Sequence, residues 1–280
     1  MLTYTNNSTG ESITLSSKPY RLVNLDGLGG SDSDVQMQKS PFQDGATYID
    51  TLLEPRYIEA EIVIFSDDIY RRRSEMSRIL NPKTGLGILR YGHKNGMKEI
   101  VAKPETAPIF PSGSNNRANS FQRALVDFVC PNPFWRDINP TNIKLEDFVG
   151  NFSFPFSFPV NFAIRGDTRT LMNEGHVATP VTVTFVGEAV NPMITKLGTS
   201  EFIRVNRTIP SGYQLVITTE FNNKSVKIVA PDGVETNAMG YIDLESTFFS
   251  LDVGENRLSF ITEGGQPEVY VEYRNWYVGV

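Results

Sequence analysis

Cys130, His93 and His176 are the only thiol and the only imidazoles in the 280 residues. Nucleophilic or metal chemistry of the common kinds would have to be built on them. A nucleophilic cysteine needs a base within hydrogen-bond reach, and a metal needs several ligands brought together at suitable spacing. Neither histidine has a companion at such a spacing, and Cys130 lies between Val129 and Pro131. Cys130 therefore reads as a small buried hydrophobe, with a thiol pKa that burial raises rather than lowers. The carboxylates offer no better start. Asp32 and Asp34 in "SDSD" lack the later ligands and closing glutamate of a calcium loop. The glycines of residues 25–46 are not set between a strand and a helix, as a dinucleotide fingerprint requires. That passage is expected to be a mobile or partner-ordered loop. No catalytic residue, metal ligand or cofactor site is expected, and the chain does not read as an enzyme.

The charges exclude further classes. Lys plus Arg total 26 against 32 Asp plus Glu, a net charge of -6, the wrong sign for a protein that grips phosphate backbones. The run Arg71-Arg72-Arg73 has Asp67, Asp68 and Glu75 at helical distances, so it reads as a paired, solvated helix face. One cysteine allows no intramolecular disulfide. The first residues, MLTYTNNSTGESI, do not resemble a secretory signal, and no segment approaches the roughly 18 apolar residues of a membrane span. Synthesis in the cytoplasm, without nucleic-acid or membrane binding, is the expectation.

Any positioning of side chains falls to β-structure, because most of the sequence alternates with a period of two. "RYIEAEIVIF" (56–65) sets Ile58, Ala60, Ile62 and Ile64 against Tyr57, Glu59, Glu61, Val63 and Phe65. The same pattern recurs at 181–187, 214–220, 225–230, 257–262 and 268–278, separated by turns such as Pro231-Asp232-Gly233. Such a run of short strands describes sandwiches or barrels. One segment breaks the period: at about 100° per residue, Ile69, Met76, Ile79 and Leu80 form a stripe. A helix over about 67–80 is expected, with Ser66 as N-cap and Asn81-Pro82 as its stop.

The stretch "FQRALVDFVCPNPFW" (121–135) reads as a strand that is forced to end. Ala124, Val126, Phe128 and Cys130 share one face; then Pro131 and Pro133 remove two backbone donors, so pairing stops. Phe134 and Trp135 follow as large apolar anchors. Together Cys130, Pro131, Pro133, Phe134 and Trp135 form a candidate interdomain joint, dividing the chain into 1–138 and 139–280 with a bridge over about 131–160. In "NFSFPFSFPVNF", Phe152, Phe154, Phe156 and Phe158 alternate with Ser or Pro, so an extended chain points all four rings one way. These rings could pack between domains or against another subunit.

A strand ending in "CPNPFW" and leading into a second β-domain resembles the distal tail (Dit) proteins of siphophages and related prophages. "SPFQDGATYIDTLLEPRYIEAEIVI", "LNPKTGLGILRY", "NEGHVATPVTVTFVGEAVNPMI", "FFSLDVGENRLSF" and "VEYRNWYVGV" extend the likeness along nearly the whole chain. The resemblance implies a mainly β protein. Its N-terminal β-barrel or sandwich-like domain, with one helix, would form hexameric rings, and its C-terminal β-sandwich would be galectin-like. It further implies a structural virion component that joins the tail tube to the tail-tip or receptor-binding proteins. The alternative is a carbohydrate-binding module gripping cell-wall glycan through the second domain. Trp276, the one tryptophan there, is not accompanied by the polar set that galectins use.

Overall fold

The computed structural model describes residues 1–93, 96–145 and 168–280. It is mainly β, with one α-helix among the described residues. The chain divides into two compact units, residues 1–138 with 277–280, and residues 139–276. The last four residues, which the sequence reading places with the second domain, lie in the first unit.

In the first unit, antiparallel strands run in the order Ser12–Thr14, Leu2–Asn6, Gly87–His93, Gly96–Pro104, Phe121–Cys130, Arg56–Phe65 and Tyr20–Asp26. The central pair is registered along its full length, from Arg56 opposite Cys130 to Phe65 opposite Phe121. Alternation puts Ile58, Ala60, Ile62 and Ile64 of one strand, and Ala124, Val126, Phe128 and Cys130 of the other, into the core. The helix Ile69–Ile79 closes over it with Met76 and Ile79, and Leu80 follows as its buried C-cap. The expected stripe is therefore the buried face, although the cap differs. Asp68, not Ser66, is the N-cap and accepts from the Arg71 N–H; Ser66 instead accepts from the Asp68 N–H. The expected pairing of the arginines is also revised. Arg72 pairs with Glu75, Arg78 reaches Glu11, and Arg73 stacks on Phe110 at 4.4 Å.

The second unit is built from a six-stranded and a four-stranded antiparallel sheet. The first contributes Val181, Val183, Phe185, Leu215, Ile217, Val269 and Val271 to the core, and the second Leu171, Ile194, Ile203, Leu258 and Phe260. Phe185 and Phe260 meet edge to face, 6.1 Å between centroids, so the sheets face each other across one core, as in a sandwich. The segment expected to be one strand over 268–278 is interrupted. Glu268–Tyr273 and Trp276–Tyr277 are separate because Asn275 turns inward and accepts from the Glu174 N–H.

Candidate functional site

The candidate joint residues sit where the strand Phe121–Cys130 leaves the sheet. Pro131 is exposed, Pro133 and Phe134 are half-buried, and the Asn132 side chain accepts from the Phe134 N–H at 3.1 Å, making a tight turn. Trp135 is fully buried in the first unit's core, 6.4 Å from the Tyr91 ring, and its indole N–H has no acceptor among the described residues. Phe152, Phe154, Phe156 and Phe158 lie outside the described residues.

Arg56 was not singled out by sequence, yet it organises this region. It occupies the core face of its strand, two residues before Ile58, and is 1% exposed. Its Nε donates to the Pro133 carbonyl at 2.8 Å and one terminal nitrogen to Gly27 O at 2.8 Å; further bonds go to Gly29 O and Val278 O. One guanidinium thus ties the proline exit, a glycine loop and the C-terminal segment to the sheet. Only a planar fork with five donors reaches so many acceptors at once. Gly27 makes this possible: at φ 85°, a side chain there would drive its Cβ to 2.0 Å from Tyr57 O. Tyr277 belongs to the same cluster, with the Lys98 ammonium 3.7 Å from its ring centroid and Lys98 paired to Asp137 at 2.5 Å. The signal available in the sequence was a charged residue in phase with a buried alternation.

The passage 25–46, expected to be a loop, is not one throughout. Ser33–Gln38 pairs antiparallel with Thr47–Leu53 to make an isolated two-stranded hairpin. Every residue of the first strand and six of seven in the second are exposed, including Val35, Met37, Tyr48, Ile49 and Leu52. Polar residues interleave with these apolar ones, which hid the strand period from a reading that looks for a core face. A lone hairpin is at best marginally stable in water, so an exposed one bearing five large apolar side chains suits a surface that will be covered.

Residues 8–130 match the family of phage tail protein RIFT-related domains, and residues 174–277 match the family of siphovirus-type tail component C-terminal domains. The chain belongs to the siphophage distal tail proteins. Its fold is similar to the crystal structure of the Dit protein of phage SPP1, described there as a paradigm of the hub adsorption apparatus in phages infecting Gram-positive bacteria. That likeness has a TM-score of 0.71 at 12% identity, covering 99% of both chains. It is also similar to a chain of the phage p2 baseplate activated with Ca, with a TM-score of 0.59 at 12% identity, covering 98% of this chain and 97% of that one. No curated protein matches the sequence. This distal tail protein is a structural part of the phage tail and so of the virion.

Within this tail protein Cys130 is free and fully buried. Burial pushes its thiol up to about 12, only partly offset by the nearby positive charge of Arg56. At pH 8 the thiolate fraction is then about one in ten thousand. Native protein is expected to resist iodoacetamide for hours at pH 8, whereas urea-unfolded protein reacts within minutes. Rapid native labelling would restore the case for a nucleophile. Among the described residues no group of three or more His, Cys, Asp or Glu is placed to hold a metal, and no helix is long and apolar enough to cross a membrane. Trp276 is half-buried, and its backbone carbonyl accepts from the His176 N–H.

Proposed function

We propose that the chain closes into a homo-hexameric ring at the tail tip, with the tail-tube protein on one side and tail-tip or receptor-binding proteins on the other. The observation that carries this reading is the hairpin 33–53. Its apolar side chains Val35, Met37, Tyr48, Ile49 and Leu52 stand exposed, and a neighbouring copy in a ring would cover them. Six copies is the number the family resemblance implies.

In this reading the first unit forms the ring and the second, a galectin-like sandwich, faces the host-recognition proteins. The stretch Cys130–Trp135 acts as a stiff exit between them. The chain works as a scaffold rather than an enzyme, supported by its family and by the inert placement of Cys130.

Light scattering on the purified chain over a wide concentration range tests the ring. A closed species of six times the 31.3 kDa chain is expected. A chain that stays monomeric at every concentration, and forms no ring when purified tail tubes are added, would overturn the proposal.

A further inference from the structure

The hairpin's tip carries a residue under unusual constraint. Phe42 has φ 64°, the left-handed region that L-residues other than Asn and Asp seldom adopt, and its relative exposure is 108%. The turn is held by the Gln43 N–H donating to Ser40 O and the Ser40 N–H donating to the Gln43 side chain. A large aromatic side chain is thereby presented to solvent on a strained backbone, an arrangement kept where something else repays it. Asp44 stands two residues on. The whole arm is acidic, with Asp32, Asp34, Asp44, Asp50 and Glu54 against Lys39 alone over residues 31–54.

The first unit also holds a recess of complementary character. Ser16, Ser17, Lys18, Arg21 and Phe65 line a hollow of about 420 Å³ with two cations and no acid. Neither Lys18 nor Arg21 makes a side-chain hydrogen bond or ion pair among the described residues. The Phe65 ring is 42% exposed, leaving it available for a second ring. The hollow beside the helix N-terminus contains Asp67 and Asp68 along with Arg73 and Arg117, so it does not favour an acidic visitor in the same way.

The topology separates arm from recess. In the pair Tyr20–Asp26 with Arg56–Phe65, Tyr20 lies opposite Ile64 and Asp26 opposite Glu59. The recess is at the Tyr20 end and the arm springs from the Asp26 end. Seven residues at about 3.3 Å each put roughly 20 Å between them. An arm that leaves one end and a receptor at the other make a head-to-tail contact between copies, the type that can close into a ring.

From this geometry we infer that the hairpin tip of one copy docks into the Lys18–Arg21–Phe65 recess of the next. Phe42 inserts beside Phe65, and Asp44 pairs with Lys18 and Arg21. The inference rests on the ring reading and names the contact that holds it.

The test uses the full chain in three forms. Lys18→Cys with Asp44→Cys should give intermolecular cross-links under a short bis-maleimide, because the native Cys130 is buried. Lys18→Glu with Arg21→Glu should weaken assembly at least about tenfold in concentration, and adding Asp44→Lys should restore most of it, since only a direct charge contact is rescued by reversal. Phe42→Ala, at a fully exposed position, should abolish assembly while leaving the melting transition in place. Rings that form without cross-links and tolerate both charge reversal and Phe42→Ala would overturn the docking and leave the ring standing. A wild-type chain that neither assembles nor cross-links at any concentration would overturn both.

Discussion

Arg56→Met is expected to lower the stability of the first unit by about 3 to 5 kcal/mol. Methionine keeps much of the arginine stem's bulk but can donate no hydrogen bond. The carbonyls of Gly27, Gly29, Pro133 and Val278 then lose a charged donor at a site only 1% exposed. Each bond to a charged group is worth about 1.5 to 3 kcal/mol, but entering water will satisfy some of the acceptors, so the sum is not reached. Arg56→Lys should fall between, because an ammonium cannot reproduce the fork. The measurement is convenient because each unit carries one tryptophan, Trp135 in the first and Trp276 in the second. In a Trp276→Phe background, urea unfolding followed by fluorescence reports the first unit alone. A midpoint unchanged by Arg56→Met would mean that the four bonds are replaceable by solvent.

Trp135→Ala is expected to cost about 3 to 5 kcal/mol, the range for removing a large aromatic ring from a core that cannot collapse around the gap. The ring is fully buried, faces Tyr91 and stands next to the turn that Arg56 holds through Pro133. Trp135→Phe gives an informative contrast. Among the described residues the indole N–H has no acceptor, so part of what is lost in packing returns as relief of an unsatisfied buried donor. That substitution should cost only about 1 to 2 kcal/mol. If alanine and phenylalanine prove equally mild by thermal or urea melts, Trp135 is not an anchor. Equal and severe losses would mean that the N–H has a water partner.

The joint illustrates how much local pattern can carry. Strand Phe121–Cys130, its inward face, its termination at the prolines and the burial of Trp135 all follow from side-chain alternation and from proline's missing donor. The helix stripe was legible for the same reason, since Met76, Ile79 and Leu80 recur at helical spacing. Its cap was not, because Ser66 and Asp68 are both good caps and the choice depends on which backbone turns first. The hairpin 33–53 escaped because an exposed strand has no core face to impose a period. Its pairing is a matter of backbone register alone, with a shift between Gln36 and Met37.

By itself the sequence determined the class of this protein. Its β alternation and its one helical stripe point to a mainly β fold with a single helix, and its resemblance to the siphophage distal tail proteins, carried by the order of its motifs, points to a structural tail component. These are local properties or sums over the chain, so no fold is needed to evaluate them. The tertiary structure alone decided what meets across long separations. It brought residues 277–280 back to the first unit and set Arg56 among carbonyls from positions 27, 29, 133 and 278. It also placed a cationic recess at the far end of the strand pair from an acidic arm. Such contacts arise from packing a whole core to close density, where a charged residue keeps its place only if distant backbone acceptors converge on it. No stretch of sequence short enough to show a pattern contains that information.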